Sequence, residues 1–256
     1  MALRVNILGV GLSVINLSQA VQLILERISK KEKGYICVTG VHGVSEAQKD
    51  PAFRRILNGS FLNTPDGMPM SWVGRLQGHK TMSRVYGPDL MMALNAATQN
   101  GQVKHFYYGG KDGVAELLRA QMEKGFPGLE VVGTYTPPFR PLNEQEQEEL
   151  ADMVARTKPD IFWVGLSTPK QEKFMAEYLN RLDTCLMIGV GAAFDIHSGM
   201  VVQAPKWIQR SGLEWLFRLL IEPKRLWKRY LVNNPLFIGR IALQLSGLRR
   251  YPMDNG

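Results

Sequence analysis

Short runs rich in β-branched and aromatic residues alternate along this chain with longer stretches of helical periodicity, and that alternation restricts the fold more than any single motif. The runs "RVNILGV", "YICVTG", "SFLNT", "KHFYYGG", "LEVVGTY", "DIFWVGL" and "CLMIGVG" read as strands. Between them "SQAVQLILERISK", "GPDLMMALNAATQN", "GVAELLRAQMEKG", "NEQEQEELADMVARTK" and "TPKQEKFMAEYLNRL" read as helices. Apolar strands joined by helical crossovers predict an α/β, Rossmann-like fold, a mainly parallel sheet with helices on both faces. Nearly every strand run ends in Gly, Thr, Ser or Asn just before a helix. Open parallel sheets bind ligands at those carboxyl ends, where helix N-termini offer free N–H groups. Phosphate suits such an edge best.

After Val202 the alternation stops, so residues 1–203 are expected to form the sheet domain and residues 204–256 a basic, helical appendage. Between Ala204 and Tyr251 stand ten Lys or Arg residues against Glu214 and Glu222, enough to account for the net charge of +8, whereas the preceding residues are nearly neutral. Whatever the basic charge meets, it meets through this segment. Gly212, Pro223 and Pro235 are expected to break it into two or three helices. Trp207, Trp215, Trp227 and Tyr230 suit a headgroup boundary, and basic side chains are drawn to anionic lipid, so the appendage is expected to contact a membrane surface and to close over the active site.

Cys37 and Cys185 both lie in apolar runs and read as buried thiols in a reducing cytoplasm. No run of 18 apolar residues is present, so no bilayer-spanning segment is expected. Asn6, Ser13 and Asn16 interrupt the apolar start, which reads as a first strand and not as a signal peptide.

Five constellations stand at expected strand ends or helix starts. "ILGVGLSV" lacks the third glycine of a dinucleotide fingerprint, with Val14 in its place, and reads as a tight strand-to-helix turn. "NTPDGMP" holds Asp66 between proline and glycine on a turn flanked by apolar residues, near a buried strand end. "VGLSTPKQEKF" puts Pro169 in a first helical turn with Thr168 as cap, and Lys170 and Gln171 at the ligand edge. "RVYGPDL" sets Arg84 and Tyr86 ahead of a helix. "IGVGAAFDIHSG" offers Asp195 and His197 without any spacing for a zinc site. No Asp-x-Asp pair follows a strand, so another cation must neutralise a diphosphate here. Arg218, Arg225 and Arg229, spaced by seven and four residues, are expected on neighbouring positions of one helix, where guanidinium forks pair phosphate oxygens.

Together "TPDGMP", "RVYGPDL", "FYYGG", "VGLSTPKQE", "IGVGAAFD" and "APKWIQRSGLEWLFRLLIEPKRLWKRY", in this order, resemble the WecG/TagA/CpsF glycosyltransferases, glycosyltransferase family 26, from about Val5 to Tyr230. The resemblance implies inverting, metal-independent and cofactor-free transfer from a UDP-sugar to a polyprenyl-diphosphate-linked glycan in bacterial surface polysaccharide synthesis. It implies a peripheral place on the cytoplasmic face of the plasma membrane. It also implies Asp66 as general base, Thr39, Arg84, Gln171 and Asp195 in the nucleotide-sugar pocket, and appendage arginines over the diphosphate. The chain departs from many members, which carry Asn shortly after the residue matching Thr39, by reading Val41 and His42. That departure turns attention from an N-acetylmannosamine-type donor to another sugar, or to a chemical role for His42.

A nicotinamide-dependent oxidoreductase is the competing enzyme class, and it needs the missing glycine. A non-catalytic membrane- or nucleic-acid-binding module is the other; the nearly neutral sheet domain offers nucleic acid no matching groove, so no nucleic-acid partner is expected. A homo-oligomer is compatible with everything above.

Overall fold

A computed structural model describes residues 2–253. The chain opens with β1 (Arg4–Ile7) and β2 (Val10–Ser13), followed by α1 (Leu17–Ser29), β3 (Gly34–Thr39), α2 (Val41–Ala47), α3 (Pro51–Gly59), β4 (Leu62–Pro65) and α4 (Met68–Leu76). Next come α5 (Gly87–Thr98), β5 (Lys104–Gly109), α6 (Val114–Gly125), β6 (Glu130–Tyr135), α7 (Glu144–Thr157), β7 (Ile161–Gly165), α8 (Lys170–Tyr178), β8 (Leu186–Gly189) and α9 (Ala193–His197). The last helices are α10 (Lys206–Ser211), α11 (Glu214–Ile221) and α12 (Pro223–Leu245). Six strands form one parallel sheet in the order β4-β3-β8-β7-β5-β6, flanked by helices, so the α/β Rossmann-like class holds. No helix among the described residues is long and apolar enough to cross a membrane.

The chain divides into two compact units. One comprises residues 18–37 and 87–202. Its core is aromatic: Phe106 stacks on Phe162 at 5.0 Å, and Phe174 lies 4.4 Å from both Tyr108 and Tyr178. Trp163 Nε1 donates to His105 Nδ1 at 2.9 Å and Thr98 Oγ1 meets Nε2 at 2.9 Å, while burial pushes the imidazole down to about 4, so the ring is a neutral core group. α7 starts on a reciprocal cap between Asn143 and Glu146. Cys37 and Cys185 are free and buried, as their apolar surroundings in the sequence imply.

The other unit comprises residues 1–17, 38–86 and 203–256. Here the first apolar run departs from the expected single strand. β1 and β2 form an antiparallel hairpin apart from the main sheet, with Ile7 opposite Val10. Leu8 and Gly9 make the two-residue turn at φ of 53° and 81°, both in the left-handed region that such a tight hairpin needs. The glycines of "ILGVGLSV" therefore serve a hairpin and not a strand-to-helix turn, which removes the dinucleotide reading at its root. The Leu8 carbonyl accepts from Gln48 Nε2 at 2.7 Å, and its N–H donates to Gln244 Oε1 of α12 at 2.8 Å. Gln244 Nε2 also donates to the Asn6 carbonyl at 2.9 Å.

The C-terminal helices depart from expectation at Pro235, which lies inside α12 without ending it. The proline removes one backbone bond, to the carbonyl of Leu231, but both residues are exposed and the helix continues. Gly212 at φ 79° and Pro223 do end and begin helices as expected.

Candidate active site

In the hairpin-containing unit, two neighbouring strands end together: Thr39 closes β3 and Asp66 follows β4. The Asp66 N–H donates to the Thr39 carbonyl at 3.0 Å, tying the acid's backbone to the adjacent strand end. A Cβ at Gly40 would stand 3.2 Å from the Asp66 carbonyl oxygen and 3.3 Å from Oδ2, so only glycine leaves the carboxylate where it is.

Asp66 opens onto a cavity of about 550 Å³. Gly40 and His42, from the start of α2, and Arg84 and Tyr86 line the same space. The C-terminal helices add Glu214, Trp215, Arg218, Arg229 and Tyr230. Asp66 Oδ1 is buried without a hydrogen-bond partner among the described residues. Burial first, then the nearby Glu214, pushes the Asp66 carboxyl up to about 7, against the pull of Arg84, Arg218 and Arg229. The acid thus feels three guanidinium groups and one carboxylate, all lining the same cavity.

Arg84 is held at three points. Nη1 donates to Glu214 Oε2 at 2.8 Å, Nη2 to Gln209 Oε1 at 2.6 Å, and the guanidinium lies 4.4 Å from the Tyr86 ring centroid. Gln209 is buried and fixed in turn, its Nε2 donating to the Ala204 carbonyl at 2.7 Å. Burial and then Glu214 raise the Tyr86 phenol, which stays protonated. Burial opposes the charge of Arg218, but Tyr230, Tyr86, Glu214 and Asp66 more than restore it. Arg229 is lowered, by burial and by Arg218, and its Nε is buried without a hydrogen-bond partner among the described residues.

The sequence-derived residues fall into three groups. Asp66, His42, Arg84, Tyr86, Arg218 and Arg229 share the cavity. Thr39 is buried at the strand end with Oγ1 unpartnered among the described residues, and His42 Nδ1 lies 3.4 Å from Asn233 Nδ2. Arg225 lies outside the cavity lining: it is exposed and forks onto Glu222, with Nε to Oε1 at 2.9 Å. The seven-residue spacing fails because Pro223 begins a new helix, so Arg218 and Arg225 stand on different axes.

Gln171 and Asp195 belong to the other unit, where α8 and α9 follow β7 and β8. Gln171 is buried and donates through Nε2 to Glu172 Oε1 at 2.9 Å. Thr168 Oγ1 also donates to Glu172 Oε1, at 2.9 Å, so its hydroxyl does not cap the first turn as expected. His197 meets the Pro88 carbonyl at 3.0 Å, a structural contact. Among the described residues no three His, Cys, Asp or Glu side chains gather as a metal site.

Sequence reasoning missed Gln209, Glu214 and Tyr230 as cavity residues. A signal existed for Glu214, one of two acids among ten bases, since an acid in such a segment has a cation to meet.

The family model described as the Glycosyl transferase WecG/TagA/CpsF family matches residues 5–251. Two relatives are each named N-acetylglucosaminyldiphosphoundecaprenol N-acetyl-beta-D-mannosaminyltransferase. That of Bacillus spizizenii (strain W23) is 33% identical over 203 residues, covering 78% of this chain and 76% of the relative. That of Bacillus subtilis (strain 168) is 32% identical over 185 residues, covering 72% and 70%. With the cavity at the carboxyl ends of β3 and β4 and a match over nearly its whole length, the chain belongs to the WecG/TagA/CpsF family and is a glycosyltransferase.

Proposed function

We propose that this enzyme moves a sugar from a UDP-sugar to a polyprenyl-diphosphate-linked glycan in bacterial surface polysaccharide synthesis, with inversion and without a metal ion. The observation that carries the reading is Asp66, a buried carboxyl raised to about 7 on a cavity that Arg84, Arg218 and Arg229 also line. An acceptor hydroxyl attacks the anomeric carbon from the face opposite UDP. Its oxygen forms the new C–O bond, its proton passes to Asp66, and the old bond's electron pair leaves with UDP. A base near neutrality suits that proton transfer. Fixed donors suit the charge that develops on the departing diphosphate, and Arg84 and Arg218 are the candidates, with Arg229 a third guanidinium for the substrates' phosphates. The acceptor class follows the names of the two relatives.

Residues 204–256 act as the closing element on the inner face of the plasma membrane. Support comes from the exposed Trp207 and Trp227 and the exposed Lys224 and Lys228 of that segment. Gln171, Asp195 and Thr39 serve the nucleotide-sugar, and His42, lining the cavity, reads the donor sugar or takes part in the chemistry.

The test is transfer from a panel of UDP-sugars to a prenyl-diphosphate N-acetylglucosamine acceptor. Asp66→Asn should keep UDP affinity and lose about 10²- to 10⁴-fold in turnover; near wild-type turnover removes Asp66 as the base. EDTA should leave the rate unchanged, and a strict need for Mg²⁺ or Mn²⁺ contradicts the guanidinium role.

A further inference from the structure

The cavity does not end at its charged residues. α12 contributes Arg229 and Tyr230, then Asn234, and then Phe237, Ile238, Ile241, Ala242 and Leu245. Steps of three and four residues keep these on one helix face. From Arg229 to Leu245 the helix rises about 24 Å at 1.5 Å per residue. α4 begins just after Asp66 and supplies Trp72, Val73 and Leu76 to the same cavity. No charged residue lines it after Arg229 along α12 or along α4. Leu76 is 74% exposed and Ile238 67%, so the apolar stretch is open to the outside.

A pocket charged at one end and apolar along the rest fits one elongated amphiphile with an anionic head. Arg229 lines the cavity from the same helix that carries the apolar stripe, about two turns before Phe237, so it is the cation that α12 itself supplies to the charged end.

We propose that the groove between α4 and α12, lined by Trp72, Leu76, Phe237, Ile238, Ile241 and Leu245, binds the first isoprene units of the acceptor lipid, with Arg229 on that lipid's diphosphate. The proposal rests on the polyprenyl-acceptor reading above and assigns the acceptor its path of entry. Each buried methylene favours binding by about 0.8 kcal/mol, so even one or two isoprene units would separate prenyl from short-chain diphosphates.

The experiment measures binding without any donor, so it is decided separately from sugar transfer. Farnesyl diphosphate and methyl diphosphate are titrated by calorimetry into the full chain, below the micellar concentration of the former. Farnesyl diphosphate should bind at least tenfold tighter. Ala242→Trp, at an exposed position that faces the groove, should bring farnesyl affinity down to that of methyl diphosphate and leave the latter unchanged. Ile238→Ser should weaken farnesyl binding, while Leu231→Ser, also exposed on α12 but outside the cavity, should not. Arg229→Gln should weaken both ligands alike. Equal affinity for the two ligands, loss on Leu231→Ser as large as on Ile238→Ser, or displacement of farnesyl diphosphate by dihexanoylphosphatidylglycerol at similar concentration would each overturn the proposal, the last by showing a groove for any lipid.

Discussion

Arg84 and Glu214 lie 2.8 Å apart and 130 residues distant in sequence, joining the segment before α5 to the first turn of α11. Both side chains are largely withdrawn from solvent, at 13% and 15% exposure, so removing either partner leaves a buried charge unpaired and costs more than breaking a surface ion pair. It holds the guanidinium beside Asp66 and builds part of the cavity wall from the C-terminal helices. Arg84→Gln and Glu214→Gln should each lower kcat/KM, and the double variant should lose clearly less than the two losses combined. Full additivity would show that the contact does not position Arg84 during turnover.

Because Asp66 must be ionised to accept a proton, kcat/KM should rise with pH through an apparent value near 7 and level off above it. Glu214 raises that value and Arg218 lowers it. The pH profile should therefore move to lower pH in Glu214→Gln and to higher pH in Arg218→Gln. A flat profile between pH 5.5 and 8.5 in all three proteins removes the acid from the rate-determining proton transfer.

The same shift has a stability consequence of definite sign. A carboxyl raised from 3.8 to about 7 in the folded chain favours folding fully below the unfolded value, and that contribution is lost as pH rises through about 7. Asp66→Asn removes the buried charge. Its melting temperature should exceed that of the wild type at pH 8 by several degrees, and the gap should close towards pH 4. A gap independent of pH would trace the effect to packing.

Gly40→Ala tests the seating of the acid. The added methyl would press on the Asp66 carbonyl and carboxylate at 3.2 and 3.3 Å. We expect roughly a 10- to 100-fold loss of kcat, since small displacements of a reacting group are costly, with little change in melting temperature. Unchanged kcat would mean that Asp66 tolerates movement.

For the membrane surface, Lys224→Glu with Lys228→Glu should weaken sedimentation with anionic liposomes by more than tenfold, at roughly 1 kcal/mol per basic residue removed. Binding to neutral liposomes should be weak in both proteins. Equal sedimentation of variant and wild type with anionic liposomes would place the contact elsewhere.

The parallel sheet and its helices were legible because apolar runs and helical periods are local signals, and the strand-end location of Asp66 followed from them, whereas Arg84 lies in the loop between α4 and α5. The first run misled because a hairpin turn and a strand-to-helix turn both use glycine; what separates them is the pairing of Arg4–Ile7 with Val10–Ser13, which is tertiary information. The arginine triad was half legible for a similar reason. Spacing places residues on a common face only within one helix, and the break before Pro223 sends Arg225 to Glu222 and out to solvent. Glu214, Gln209 and Tyr230 reach the cavity only because separate helices fold back on the loop holding Arg84, which no periodicity in their own segments encodes.

The Leu8 peptide, met on both sides by Gln48 and Gln244, makes residues 4–13 a mooring for the final helix. Phe237 and Ile241 ride on that helix a turn or two before the attachment, so slack at the hairpin would travel straight into the wall they form. A bulky fusion placed ahead of Arg4, or a Gln244 exchanged for a shorter side chain, should then harm lipid-acceptor turnover while leaving the aromatic core of the other unit at full strength.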